Sequence, residues 1–331
     1  MGFIVTVKHW KQKPSGGMIR PLPESTFSEP QSLMSLLSLI LVFILEQVKP
    51  LDYARWIVRP FAMWANWLEK HSNVGDYRHG ALAAAIVLLV PAGIVGALWW
   101  GARMAGDVPL FLLYVVVLYG VMGVRQFSHF YTDIQMALRL EDIDRARDLL
   151  GAWRRETLPR YGAPDIARLS IETALVDAHR HVFAVLCWFA LLGPVGALLY
   201  RLTHLLAETW PVEAKGEFGR FAQQCFTVAD WLPMRVTAAT FAFVGNFVDA
   251  AYCWRHRSAR WRNDANGIIL ASGGGALGVR LGFASVGAQE GAEAPVGEIA
   301  DVEFMQGAIG LVWRAIAFWL LALFVLGLVK I

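Results

Sequence analysis

The chain has 331 residues, 56% of them apolar and 17% charged, with 30 Lys and Arg against 27 Asp and Glu for a formal charge of +3. Soluble domains average about 45–50% apolar and 25% charged, so this balance argues against a soluble enzyme. The small, evenly spread positive excess also lacks the basic patch of a nucleic-acid binder, and no nucleic-acid partner is expected.

Residues 1–33 are polar and turn-rich, with Lys8, Lys11, Lys13, Pro14, Gly16, Gly17, Arg20, Pro21 and Pro23. They lack the apolar stretch and small-residue cleavage site of a signal peptide. They read as a disordered leader or an extension upstream of a working start at Met34, the alternative being a cytoplasmic amphipathic arm. Residues 34–331 then form a single helical domain.

A bilayer crossing needs roughly 20 apolar residues. The run 34–45 is 12 residues long and spans only by borrowing neighbours. Residues 80–102 are 23 uncharged residues ending at Trp99 and Trp100, and 108–124 supply 17 more after a five-residue turn, predicting a transmembrane hairpin. Residues 182–200 give 19 uncharged residues, and 304–329 give 26 broken only by Arg314. Residues 231–248, opened by Trp231, Leu232 and Pro233, are a sixth candidate with a kinked or partly re-entrant start. The expectation is an all-α, polytopic helical membrane protein of five or six spans, with cytoplasmic helices between the third and fourth.

The segment 125–180 carries nine Arg and nine acidic residues, and 46–79 has five Lys and Arg. The positive-inside rule puts both in the cytoplasm of a bacterial-type inner membrane. Within the longer one, Ile143, Ala146 and Leu150 make a helical stripe, and Glu141 and Arg145 stand at i, i+4. Gly151 and Pro159 interrupt it, and helical character resumes over 166–175.

Polar chemistry is concentrated towards the carboxyl end. Gly273, Gly274 and Gly275 permit a ligand to approach backbone N–H groups, and Arg280 offers a forked pair of donors to phosphate or carboxylate. No P-loop lysine or Rossmann strand accompanies them, and a flexible turn before a packed helix explains the glycines equally. Asp230 and Arg235 stand five apart around Pro233, as do Glu172 and Asp177, a poor spacing for paired carboxylates. His179 and His181 diverge at i, i+2 and read as interface-facing. Cys187, Cys225 and Cys253 are odd in number and widely spaced, building neither a disulfide framework nor a metal site, and no metal ligands are assigned.

Several runs together resemble one family: Asp142 with Ala146 and Arg147, Glu172-Thr173, the stretch from Gly193-Pro194 to Tyr200-Arg201, Phe218 to Phe221, Asp230 to Arg235, and Ala276 to Gly282 following Asn263. The chain from Met34 onward is similar to the adenosylcobinamide-phosphate synthases (CobD/CbiB), a family of integral membrane proteins that includes the AmpE-type regulators. That resemblance implies amide synthesis joining aminopropanol or its phosphate to adenosylcobyric acid in cobalamin assembly. It implies catalytic roles for Glu172, Asp142 and Asp230. Substrate or phosphate binding would fall to Arg147, Tyr200, Arg201, Arg220, Arg235, Asn263, Gly274, Gly275 and Arg280. Mg2+ and ATP follow if the synthase reading holds, and the partners are the lipid bilayer and a corrinoid or amino alcohol phosphate ligand.

The chain departs from the synthase pattern where Val176, Asp177 and Arg180 replace a Glu-Asn and a following Asp. It departs again at His204 to Ala207, and at Phe226-Thr227, where the synthases carry paired aspartates. Its early layout around Leu45-Glu46-Gln47 is closer to the AmpE-type branch. The readings are therefore a cobalamin-pathway synthase, a non-catalytic regulator or sensor, and a small-molecule transporter, for which no broken-helix repeat is visible.

Overall fold

The computed structural model describes residues 29–49, 51–257, 266–282 and 297–329. Among them the architecture is all-α, the one β feature being an isolated parallel bridge between Val279 and Glu298. Helix α1 (Glu29–Val48) begins five residues ahead of Met34. Residues 1–28 lie outside the described residues, as does Asn263.

A π-helical turn (Ala54–Val58) leads into α2 (Arg59–Ser72) and the long α3 (Tyr77–Ala105). Helix α3 has two faces. Leu82, Ile86, Leu89, Val90, Ile94 and Leu98 are exposed, whereas Gly80, Ala83, Ala84, Val87 and Leu88 are buried. An apolar outer face and a small-residue inner face are what a lipid-facing helix in a bundle requires. Gly106 alone separates α3 from α4 (Asp107–Val121), at φ +113° and ψ −174°, where a Cβ is strained. The predicted hairpin is therefore tighter than its five-residue turn suggested.

Helices α5 (Val124–Arg139) and α6 (Ile143–Arg154) follow. Asp142 caps α6 by accepting from the Arg145 N–H at 3.1 Å. Glu141 falls in the turn before it at φ +59°, so the expected helical Glu141–Arg145 pair does not form. Helix α7 (Ala163–Ala178) continues through a second π-helical turn (His179–Phe183) into α8 (Ala184–Thr209).

The backbone reverses inside α8 at Gly193, which has φ +66° and ψ −154°. A Cβ on Gly196 would lie 2.6 Å from both the Trp188 carbonyl oxygen and Leu192 Cβ. In a continuous helix residues eight apart are about 12 Å apart along the axis, so the chain folds back here. The predicted span 182–200 is thus the tip of a helical hairpin, with its ends side by side. Its second arm descends along α3, Leu202, Leu205 and Leu206 sharing a core with Ala83, Ala84 and Val87.

After the short α9 (Val212–Lys215), α10 (Glu217–Val244) runs unbroken through Pro233, in place of the re-entrant start expected there. Helices α11 (Phe247–Arg257), α12 (Gly267–Leu277) and α13 (Val302–Val329) complete the described chain. Among the described residues three stretches are long and apolar enough to cross a membrane: Tyr77–Ala105, Ala163–Thr209 (the hairpin) and Val302–Val325. Met34–Val48, Asp107–Val121 and Gly267–Leu277 are shorter apolar helices, so length and composition single out three spans where five or six were expected.

Candidate functional site

The open end of the hairpin faces a cavity of about 1000 Å3. Helix α7 and the following π turn contribute Glu172, Thr173, Val176, Asp177 and Arg180, a set at i, i+1, i+4, i+5 and i+8 that shares one helix face. The returning arm answers with Arg201, His204 and Glu208, again on one face. Tyr53 and Asp52 come from the edge of the first π turn, Trp153 to Glu156 from the end of α6, and Asn266 from the start of α12. Both π-helical turns border this cavity, and such bulges re-aim side chains that a regular helix would turn elsewhere.

Within it, the Tyr53 and His181 rings stand 6.4 Å apart and the His181 and His204 rings 6.5 Å. The Tyr53 hydroxyl accepts from Arg201 Nε, and the Arg201 guanidinium lies 4.6 Å from the Tyr53 ring. Burial pushes the Tyr53 phenol up, with Arg201 pulling it the other way. Asp177 accepts from Trp153 Nε1 at 3.0 Å. Glu172 is buried, accepting from Arg168 Nη1 at 2.9 Å and from the Gly282 backbone N–H at 2.6 Å, which ties α7 to the strap after α12.

A sequence model described as CobD/Cbib protein matches residues 39–312. The chain belongs to the CobD/CbiB family. Its curated CobD/CbiB relatives include a cobalamin biosynthesis protein CobD of Stutzerimonas stutzeri, 30% identical over 272 residues, covering 80% of this chain and 88% of that one. The Chromobacterium violaceum protein of the same name is 34% identical over 204 residues, 60% of this chain and 64% of its own. A third, from Mycobacterium tuberculosis, is 26% identical over 233 residues. No solved structure matches. The bacterial relatives and the apolar helices together support a multi-pass inner-membrane protein of the CobD/CbiB family.

Of the residues suggested by the CobD/CbiB resemblance, Glu172 and Arg201 line the cavity. Tyr200 and Asp230 form a buried network beside it, in which one Asp230 oxygen accepts from the Tyr200 hydroxyl at 2.8 Å and lies 2.9 Å from His179 Nε2. His179 Nδ1 is 2.9 Å from the Thr237 hydroxyl, so this histidine is buried and not interface-facing. The others lie apart from the cavity lining. Asp142 caps α6, Arg147 pairs with Asp144 and reaches the Tyr161 carbonyl, and Arg220 pairs with Glu217 on the surface. Arg235 lies 4.0 Å over the Trp231 ring.

Gly274 and Gly275 are buried inside α12, where helical N–H groups serve the helix itself. Their role in the fold is close approach: a Cβ on Gly275 would stand 2.5 Å from the Asp249 carbonyl oxygen, and one on Gly274 3.0 Å from that of Val279. Arg280 Nε donates to the Gly297 carbonyl at 2.7 Å, and its backbone N–H to Glu298 at 2.9 Å, which spends this arginine on the strap. Arg180, His181, His204, Asp177 and Glu208 were not among the suggested site residues. The signal that would have found them is Gly193-Pro194 in the middle of an uncharged run, which marks a reversal that brings 177–181 opposite 201–208.

Proposed function

We propose that the chain is an amide synthase of cobalamin assembly, joining aminopropanol or its phosphate to adenosylcobyric acid in this cavity. The observation that carries the reading is the convergence of carboxylates, guanidinium groups and imidazoles from the two hairpin arms on one large cavity, in a chain whose relatives are named for cobalamin biosynthesis. Amide formation needs an activated carboxylate, a positive environment for anionic groups, and a base for the proton that the amine loses. The arginines serve the second need. His181 and His204 serve the third, as cavity-lining imidazoles whose ring nitrogens can accept a proton.

ATP supplies carboxylate activation on this reading. The residues do not fit a resident metal centre: among the described residues no group of three or more His, Cys, Asp and Glu side chains is placed to hold an ion, and Glu172 is committed to Arg168 and Gly282.

On the same reading α1, α3, α4 and α13 cross the inner membrane, the two hairpin arms are the remaining apolar passes, and residues 125–180 and the cavity mouth face the cytoplasm. A second reading, a non-catalytic AmpE-like regulator, is favoured by Arg180, a cation in the cavity wall where the synthase pattern has an acid.

The deciding experiment is incubation of nanodisc-held protein with adenosylcobyric acid, ATP, Mg2+ and either the amino alcohol or its phosphate, with mass spectrometry for the amide. Product above the protein-free background supports the synthase. No product, alongside a motif-complete synthase that works in the same preparation, leaves the regulator.

A further inference from the structure

Arg180 and Arg201 enter the cavity from opposite arms of the hairpin and are brought together by its reversal at Gly193. Arg201 is 2% exposed. Its Nε donates to the Tyr53 hydroxyl and its Nη1 lies 3.4 Å from His204 Nδ1. Arg180 donates from Nη2 to Asn266 Oδ1 at 3.2 Å, while its Nε is buried with no hydrogen-bond partner among the described residues.

Neither guanidinium has a carboxylate within 4.0 Å among the described residues, whereas Arg147, Arg154 and Arg220 each have one and Arg168 has two. Two acids of the same cavity are turned elsewhere, Asp177 to Trp153 and Glu208 towards His204 at 3.6 Å. The Tyr53 phenol, raised by burial, stays protonated and does not neutralise Arg201. Acids of the lining act on these two cations only at longer range, so guanidinium N–H donors in a part-buried wall stay open for a bound anion to complete. Guanidinium groups meet phosphate and carboxylate through parallel N–H donors.

We propose that Arg180 and Arg201 build an oxyanion subsite that holds a phosphoryl or carboxylate group of the ligand, with Tyr53 and Asn266 fixing the two guanidinium groups. Each π-helical turn has a defined role in it. The turn at His179–Phe183 directs Arg180 and His181 to the cavity, and the turn at Ala54–Val58 follows Tyr53. The inference rests on the cavity being the ligand site, and it makes Arg180 a binding residue instead of an obstacle.

The test is titration calorimetry of the full chain in phosphatidylcholine nanodiscs with inorganic phosphate and, separately, acetate. Saturable binding of at least one anion is expected, unchanged by EDTA because the charge comes from arginine. The tighter of the two identifies the group as phosphoryl or carboxylate. Arg180→Gln and Arg201→Gln should each weaken it roughly tenfold or more, the scale of a hydrogen bond to a charged group, with Lys70→Gln as an unaffected surface control. If buried Arg201→Gln fails to fold, half-buried Arg180→Gln decides alone. Absence of binding to the wild type, or equal affinity in the folded Arg180→Gln variant, overturns the subsite. Amide product without anion binding removes the subsite and keeps the synthase; anion binding without product does the reverse.

Discussion

Glu172 shows how one side chain can serve both the cavity and the fold. Its Oε1 accepts from Arg168 and from the Gly282 N–H, so Glu172→Gln removes the charge from two charge-assisted hydrogen bonds at a buried site. The expected cost is about 1–3 kcal/mol of stability, read as a lower melting temperature in detergent, together with lost amide synthesis. Asp230 is a more extreme case. It bridges His179 and Tyr200 at 2% exposure, away from the cavity lining. Asp230→Asn should destabilise the helix junction while leaving phosphate affinity within about twofold, since charges that do not contact the ligand couple weakly to it. Larger losses of affinity would place Asp230 in the ligand site.

At the level of helices, glycines decide how closely elements approach. A Cβ on Gly80 would lie 2.2 Å from the Phe218 carbonyl oxygen, where α3 meets the start of α10. Gly80→Ala must therefore push the two backbones apart and should cost about 1–3 kcal/mol, the range of overpacked cores. Gly101, with nothing within 4 Å, is its matched control. Gly193→Ala meets a different obstacle, a backbone conformation essentially closed to other residues, at a cost of about 1–3 kcal/mol. Detergent-state melting of the three variants checks the order, with Gly101→Ala unchanged.

The helices themselves were legible because apolar length and helical spacing are local properties: α3, α4 and α13 lie where the uncharged runs predicted them. Two features were not. The Gly193 reversal leaves composition untouched, so an uncharged run of the right length looked like one crossing. The glycines of α12 looked available to a ligand because sequence shows their freedom and hides the Leu175 and Phe241 side chains and the α11 backbone that stand close around them.

For the whole molecule, the membrane reading makes Ala152 a cytoplasmic residue at the rim of the cavity. After replacement of Cys187, Cys225 and Cys253, a cysteine at Ala152 should be modified by a membrane-impermeant thiol reagent only once the inner membrane is opened. Modification in intact spheroplasts would invert the orientation. The CobD/CbiB family assignment does not depend on that outcome, because it rests on the match over residues 39–312.

The reversal at Gly193 also sets a parity rule for the chain. A helix that crosses once changes the side on which the next loop emerges; a hairpin restores it. Arg160, ahead of α7, and Glu213, beyond α8, are both exposed and must therefore share a compartment. Enzymatic reporters truncated and fused at these two positions should give the same compartment signal, although 19 uncharged residues lie between them at 182–200. Any topology drawn by counting apolar runs would assign them opposite signs and invert every loop that follows.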